Sequence, residues 1–376
     1  MKILHLATYY IGSKVYKELV NSINEIDSEI EQIVYVPIKN KKYINVNKIE
    51  NSKIKILYRN VQNNLDRILY KRKINKTYND LENEVKFGDI NYIYAHTIFA
   101  DGALACMIKE DYDIDYTVVV RNSDVNAYLK YMPNAKKIFI KIMHNAKKVI
   151  FISPCMKKQV ETMLKDEKLI KELNNKSKII PNGVNEYWHT NRIEKHSDLK
   201  NNKEINFIQV STLDKNKNLY ATIDLVKYLS LNGYNVNLNI IGKGKYENKY
   251  KKYVQKKQLQ DRIKFLGYIS EKETIKDYYR KNDIFIMLSK SETFGLVYIE
   301  AMSQGLPVIF SKNTGIDGYF DDNRIGFSLN PNDINFDDVK NGINYLEKNY
   351  SKISKFNIEQ SKKFNWKVVA KEYLER

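Results

Sequence analysis

Two glutamates, Glu292 and Glu300, stand eight positions apart in the segment Ser291-Glu292-Thr293-Phe294-Gly295-Leu296-Val297-Tyr298-Ile299-Glu300-Ala301-Met302-Ser303-Gln304-Gly305-Leu306-Pro307-Val308-Ile309. Carboxylates accept hydrogen bonds from hydroxyls, and the residues between these two add a seat for an anion. Gly295 has no side chain, so a ligand can approach its backbone closely. The free amides of the first helical turn, from Gly295 through Leu296 to Val297, form a partly positive, anion-binding site. Glu292 sits in the loop beside that seat, and Glu300 lies one to two turns into the helix. An anion seat flanked by two hydroxyl acceptors describes a nucleoside diphosphate-sugar, with Glu300 on the ribose and Glu292 on the sugar. On spacing alone, the alternative is an amphipathic helix carrying two solvated glutamates.

The elements that must position these groups are legible on either side. Ile284 to Leu288 reads as a buried strand, Pro307 to Phe310 as another, and Gly305 suits the stop of the helix between them. In open parallel sheets, ligands bind outside the carboxyl ends of the strands, where this loop lies. Short apolar runs alternate with helical patterns along the whole chain, which argues for parallel α/β sheets. Strand candidates in the first half are Lys2 to Leu6, Gln32 to Val36, Ile54 to Tyr58, Tyr92 to Ala95, Thr117 to Val120 and Val149 to Ile152. In the second half they are Asn206 to Val210, Asn237 to Ile241, Ile263 to Phe265, Ile284 to Leu288 and Val308 to Phe310. Ile179-Ile180-Pro181-Asn182-Gly183-Val184 between the halves ends in turn chemistry, and a polar stretch reads as a linker. The expected architecture is two doubly wound α/β domains facing each other across a cleft.

Composition narrows the class. The 376 residues allow two or three domains with sizeable cores, and 43% hydrophobic with 29% charged residues is ordinary for a globular protein. The two cysteines, Cys106 and Cys155, are too few for a disulfide framework and suggest a reducing compartment. Met1 to Tyr10 reads as a first strand rather than a signal peptide, and no apolar run reaches about 18 residues, so the expected location is cytoplasmic. The net charge of +18 is partly a diffuse lysine excess. Two clusters are denser: Arg67, Lys71, Arg72, Lys73 and Lys76 around Ile68, Leu69 and Tyr70, and Lys136, Lys137, Lys141, Lys147 and Lys148 around Ile138, Phe139, Ile142 and Met143. The second cluster reads either as a basic helix for an anionic membrane surface or as a helix packed on a sheet with a solvated lysine face.

The segment from Glu292 to Ile309 resembles the E-x7-E region of the retaining glycosyltransferases of family 4, in its E-x-F-G-L-V opening, its E-A-M centre and its G-L-P-V-I close. The resemblance implies the GT-B fold, a sugar contact for Glu292, a ribose contact for Glu300 and a diphosphate contact for the amides at Leu296 and Val297. Pro181-Asn182-Gly183-Val184-Asn185 is similar to the family's P-N-G-V-D hinge, with Asn185 in place of the aspartate, and Phe364-Asn365-Trp366 to the start of a terminal helix that crosses back to the first domain. The implied layout is an acceptor domain over residues 1–185, a linker over 186–203, a donor domain over 204–358 and a returning C-terminal helix over 359–376.

Ser211 to Asn218 resembles the family's G-R-L-x-x-x-K segment, whose cations neutralise the donor diphosphate. Lys217 falls on the lysine, and Thr212 stands where the arginine is expected, with Lys215 as a possible substitute charge. Gly242, in Ile241-Gly242-Lys243-Gly244-Lys245, matches a strand-end G-x-G loop, and Tyr268 and Ile269 match the loop whose main chain contacts the nucleobase. In the first half, Gly12 is what remains of a glycine-rich loop near the donor phosphates. Val119 to Asp124 resembles an H-G-x-D segment, with Arg121 at the histidine and Asn122 at the glycine. Arg121 could bind an acceptor phosphate through its planar fork, or pair with Asp124. His96 is an acceptor-side candidate beside Thr97 and Asp101. Asp111, Asp113 and Asp115 form a D-x-D-x-D run at the amino end of a strand, read as a polar turn; no histidine or cysteine spacing suits zinc.

The function so implied is retaining, metal-independent transfer of a sugar from a UDP- or GDP-sugar to an acceptor hydroxyl. The catalytic set is Glu292, Lys217 and Arg121. The donor set is Glu300, Thr212, Phe294, Gly295, Leu296, Val297, Gly242, Tyr268, Ile269 and Gly12, and the acceptor side is His96 and Asp124. No cofactor or metal is called for. The expected acceptor is a saccharide or lipid-linked saccharide of bacterial surface polysaccharide or glycolipid assembly, with peripheral association at an anionic inner membrane face. The alternatives are a nucleotide-sugar epimerase or hydrolase of the same fold, and a non-catalytic basic binding protein. A nucleic-acid partner lacks a recognisable module.

Overall fold

A computed structural model of the chain describes residues 1–63, 66, 69–194 and 204–375. The chain divides into two compact units. The first contains Met1–Ile152, Met156–Asn182 and Trp366–Arg376, and the second Ser153–Cys155 and Gly183–Asn365.

The sheet of the first unit consists of β1 (Lys2–Leu6), β2 (Glu31–Pro37), β3 (Ile54–Arg59), β4 (Tyr92–Ala95), β5 (Tyr116–Val120), β6 (Lys148–Phe151) and β7 (Ser177–Ile179). The strands are parallel in the order β3-β2-β1-β4-β5-β6-β7. The second sheet holds β8 (Glu204–Val210), β9 (Asn235–Ile241), β10 (Ile263–Phe265), β11 (Ile284–Met287), β12 (Val308–Ser311) and β13 (Gly326–Leu329), parallel in the order β10-β9-β8-β11-β12-β13. Parallel strands covered on both faces need apolar residues throughout, which is why β4, β5, β11 and β12 are buried at every position. In each sheet the strand order reverses once, between β1 and β4 and between β8 and β11. Loops leaving the carboxyl ends there diverge and open a crevice.

Helices cover the sheets by amphipathic spacing. In the helix Val15–Ile26, Tyr16, Leu19, Val20 and Ile23 are buried at the offsets that make one stripe at 3.6 residues per turn. The last helix, Trp366–Leu374, packs against it and belongs to the first unit. There Trp366, Val369, Ala370 and Tyr373 are buried, and the carbonyl of Tyr373 accepts the Tyr94 hydroxyl at 2.7 Å. The stretch 359–376 is thus two helices: the long helix Phe336–Ser361 of the second unit ends before the turn at Phe364 and Asn365, and the short one follows.

Two differences from the sequence reading concern loops and lysines. Glu186–Thr190 of the expected linker is helical, capped by Asn185, whose side-chain oxygen accepts from the Tyr187 amide at 3.1 Å; residues 195–203 lie outside the described residues. Phe139, Ile142 and Met143 of the helix Ala135–Asn145 are buried in the core of the first unit. Several lysines beside them are engaged: Lys136 donates to the Leu164 carbonyl at 2.6 Å, Lys141 pairs with Glu110 at 2.9 Å and Lys147 with Asp115 at 2.8 Å. The packed-helix reading is the one this geometry matches. Lys71, Arg72 and Lys76 of the other cluster are exposed on the helix Tyr70–Glu84; Arg67 and Ile68 lie outside the described residues. No helix among the described residues is long and apolar enough to cross a membrane.

Candidate active site

The loop after β11 is pinned on both sides of Glu292. The Glu292 amide donates to Thr314 Oγ1 at 2.6 Å, while the Glu292 carbonyl accepts from the Gly315 amide at 3.1 Å. With its backbone fixed, the carboxylate accepts from the Thr293 amide at 3.1 Å and from Lys217 Nζ at 2.5 Å. Both side chains of that ion pair are largely but not wholly buried, at 16% and 18% exposure, so a ligand can reach them. Gly295 then turns the chain into the helix Leu296–Ser303 with φ +89°, a left-handed conformation that favours glycine. A side chain there would also meet the Tyr298 ring at 2.5 Å. The first-turn amides of Leu296 and Val297 precede the intrahelical ladder and face outward for an anion or water.

Lys217 arrives on the loop after β8. Asp214 caps its short 3-10 turn, accepting from the amides of Asn216 at 2.8 Å and Lys217 at 3.2 Å. Asn216 ties this loop to the one after β11: its side chain donates to the Ser291 carbonyl at 2.7 Å and accepts from the Ser291 amide at 3.0 Å. The two loops that diverge at the strand reversal are thereby one construction, and it presents Lys217 beside Glu292. Thr212 is exposed and its hydroxyl is spent on Asp214 at 2.8 Å, so it supplies no charge. Lys215 is also exposed in the same loop.

Glu300 stands on the second turn of the helix Leu296–Ser303, half-buried. Desolvation pushes its carboxyl up to about 7, against the nearby Lys272 ammonium and a hydrogen bond from the Trp188 indole, which both act to lower it. Lys272 in turn donates to Asn185 at 2.8 Å, so the P-N-G-V-N turn feeds into the surroundings of Glu300. Among the described residues these are the partners of its carboxylate, which keeps acceptor capacity for ligand hydroxyls.

The G-x-G loop closes the same end of the sheet. A Cβ on Gly242, whose φ is +146°, would fall 1.8 Å from the Ser211 carbonyl, and the Gly242 amide donates to Gly267 O at 2.8 Å. This carries the loop of Tyr268 and Ile269 alongside; Tyr268 is exposed, with Lys243 over its ring at 4.6 Å. Phe294 is not a surface contact. Its side chain is buried between Tyr319 and Phe364, leaving only its backbone in the loop.

In the first unit, Gly12 lies in the loop after β1 with open space where a side chain would point. The Arg121 fork is partly engaged: Nε donates to the His96 carbonyl at 3.3 Å, Nη1 to Asn182 at 3.1 Å, and the group covers the Tyr16 ring at 5.1 Å. The alternative pairing with Asp124 is not a salt bridge. Asp124 is buried and accepts instead from the backbone amide of Arg121 at 2.8 Å and that of Phe99 at 3.3 Å. Its carboxyl is pushed up to about 7 by burial. His96 is buried, stacked on His5 with ring nitrogens 3.1 Å apart, and burial holds it well below the usual histidine range, so it is neutral. Arg121, Asp124 and His96 therefore shape the carboxyl ends of β4 and β5 from within. The aspartate run is similarly engaged: Asp111 accepts from Tyr78, and Asp115 from Lys109 and Lys147. Among the described residues no group of three or more histidines, cysteines and acids could hold a metal ion.

Thr314, Gly315, Asn216, Trp188 and Lys272 escape the sequence reading. Thr314-Gly315 follows a predicted strand and carried a turn signal; the others act across large sequence separations that leave no local pattern.

Residues 191–364, nearly the whole second unit, match the family described as glycosyl transferases group 1. An uncharacterised glycosyltransferase of Methanocaldococcus jannaschii is 28% identical over 293 residues, covering 76% of this chain and 74% of the relative. The alpha-monoglucosyldiacylglycerol synthase of Acholeplasma laidlawii is 27% identical over 261 residues, 65% of this chain and 64% of the relative. Among solved structures, HepE of Anabaena in complex with UDP superposes with a TM-score of 0.71 at 16% identity, over 100% of this chain and 99% of that one. The sucrose-phosphate synthase of Thermosynechococcus elongatus does so at 0.71 and 18%, over 100% and 98%. Residues 191–364 thus place the second unit with the group 1 glycosyltransferases, and the chain has the GT-B fold.

Proposed function

We propose that the enzyme transfers the sugar of a UDP- or GDP-sugar to an acceptor hydroxyl with retention of anomeric configuration. The observation that carries this is the Lys217–Glu292 pair beside the open first turn of the helix Leu296–Ser303. The amides of Leu296 and Val297 and the Lys217 ammonium take the charge that develops as the bond from the anomeric carbon to the diphosphate breaks, typically the largest catalytic contribution. The electron pair leaves with the diphosphate, one of whose oxygens accepts the proton of the attacking hydroxyl on the same face. Glu292 orients the sugar, and Glu300 accepts the ribose hydroxyls. Lysine and helix amides suffice for the diphosphate, and no metal is assigned.

The acceptor belongs to surface polysaccharide or glycolipid assembly, and the enzyme works in the cytoplasm at an anionic membrane face. The motivation is the exposed Lys71, Arg72 and Lys76 beside the exposed Leu69, together with a relative named as a glycolipid synthase. Incubation with a panel of nucleotide-sugars, following UDP or GDP release and the anomeric configuration of the product by NMR, tests the reading. Glu292→Ala is expected to lower turnover at least 100-fold while UDP or GDP binding survives. Full turnover in that variant, or an inverted product, would overturn it.

A further inference from the structure

In the first unit, the loop after β1 and the residues that follow β2 border a cavity of about 560 Å³. It lies outside the carboxyl ends of these strands, next to the point where the strand order reverses. Its lining is polar and charged as well as aromatic. Tyr9, Tyr43 and Tyr128 offer flat rings with hydroxyl tips, Lys39 and Lys73 two ammonium groups, and Asp66 one carboxylate.

Three details bear on what would fill it. Lys39 and Lys73 repel one another, and among the described residues neither ammonium has a hydrogen-bond or ion-pair partner. The fields of Asp101 and Asp66 reach Lys73 and favour its charge, but burial acts more strongly the other way. Two like charges at one cavity are relieved when an anion joins them. Asp66, 5% exposed, accepts the Asn63 amide on one oxygen at 2.6 Å, while its other oxygen, buried, has no partner among the described residues. Such an oxygen is satisfied by a ligand hydroxyl. Finally, the wall is fixed in place. Buried Asp101 accepts from both the amide and the hydroxyl of Thr8, at 3.0 and 2.6 Å, and Tyr70 anchors the start of the Lys73 helix to the Phe99 carbonyl at 2.8 Å.

We propose that this cavity seats an acceptor carrying both hydroxyls and a phosphate group, a phosphorylated sugar or polyol, with the phosphate between Lys39 and Lys73 and a hydroxyl on Asp66. A neutral sugar leaves the repulsion between Lys39 and Lys73 unrelieved, and a bare anion leaves the Asp66 oxygen unpaired. The proposal rests on the reading of the first unit as the acceptor half, and it moves the anion contact from Arg121, which is buried and held by the His96 carbonyl and Asn182, to two lysines whose ammonium groups have no partner among the described residues.

The same phosphate chemistry occurs free or on a lipid, so the test has two arms, both on the full chain. Calorimetry compares glucose 6-phosphate, glucose and inorganic phosphate; flotation compares phosphatidylglycerol vesicles, whose headgroup joins a phosphate to a diol, with phosphatidylcholine vesicles. Glucose 6-phosphate is expected to bind at least tenfold more tightly than glucose, with that preference lost in Lys39→Ala, a change at an exposed position that the fold tolerates, and in Lys73→Met. Asp66→Asn is expected to weaken glucose 6-phosphate severalfold and leave inorganic phosphate unchanged. Binding of phosphatidylglycerol vesicles alone, with the same sensitivity to Lys39→Ala, would support a lipid-borne acceptor. Equal binding of glucose and its phosphate with no vesicle preference, or wild-type behaviour of both lysine variants, would overturn the proposal. UDP and GDP titrations of the same samples keep the two readings apart: nucleotide binding without phosphate preference sinks only this inference, and absence of nucleotide binding sinks the donor assignment.

Discussion

Glu292 and Glu300 are the same residue type on neighbouring turns of chain, yet their surroundings give them different chemistry. Glu292 is paired with a cation and two backbone clamps hold its loop, an arrangement for orientation. Glu300 is desolvated, and its carboxyl is raised from an ordinary 4.5 to about 7. Between those values the folded chain keeps a proton that the unfolded chain has released, so the stability linked to Glu300 is present below about 4.5 and lost as pH rises through about 7. Hydroxyls donate better to the ionised form, so UDP or GDP affinity is expected to climb as pH rises from 6 to 8. Calorimetry on Glu300→Gln should show a weaker affinity whose dependence on pH is flattened; an unchanged slope would locate the titration elsewhere. The identities of these two glutamates were legible because a strand, a glycine and a helix surround them in a short stretch. Trp188 and Lys272, which give Glu300 its character, lie 112 and 28 positions away and left no trace in the local pattern. Arg121 shows the opposite case, since a strand-end arginine looks free in sequence and is buried in the fold, with the His96 carbonyl and Asn182 as partners.

The loops at the carboxyl ends of β8, β9 and β11 work as one assembly. Gly242 is its tightest joint: Gly242→Ala would press a methyl group into the Ser211 carbonyl in a backbone region that disfavours side chains. A loss of about 2–4 kcal/mol is expected in urea unfolding, from overpacking and strain together. Thr212→Arg makes the reverse experiment. An arginine there would add a third cation to the loop of Lys215 and Lys217, and a charged hydrogen bond to the diphosphate is worth about 1.5–3 kcal/mol. UDP or GDP affinity is expected to rise about tenfold, unless Asp214, which now holds the threonine hydroxyl, captures the new side chain and leaves affinity unchanged. Eleven of the strands match apolar runs in the sequence: β4, β5, β11 and β12 are buried at every position, and β3, β8, β9 and β10 repeat Val, Ile, Leu or Phe at alternate positions. β7 and β13 do not: Ser-Lys-Ile has one apolar residue, and Gly-Phe-Ser-Leu opens on a glycine and splits its two apolar residues with a serine.

At the scale of the molecule, each unit carries its own parallel sheet and core, and the first draws its last helix from the far end of the sequence. The helix Trp366–Leu374 buries Trp366, Val369 and Tyr373, each contributing about 1.5–3 kcal/mol by removal of apolar surface from water. Their sum is comparable with the whole stability of an ordinary domain, about 5–15 kcal/mol. A chain cut after Asn365 is expected to lose cooperative unfolding of the first unit, read by circular dichroism and limited proteolysis, while the second unit melts as before; a first unit that still melts cooperatively would show the helix to be dispensable. The alternating pattern made two such domains legible, whereas the ownership of a nine-residue helix depends on tertiary contacts such as Tyr94 with Tyr373, 279 positions apart. During synthesis this helix has a consequence of its own. At about 5–20 residues per second, the ribosome needs roughly 10–40 s to pass from the end of the first unit's main body to the helix that completes it. The second unit can close in that interval, but the earlier-made half waits with Tyr94 and the Val15–Ile26 helix uncovered. The part of the enzyme translated first is therefore the last to mature, and it is the part that most needs a chaperone while translation continues.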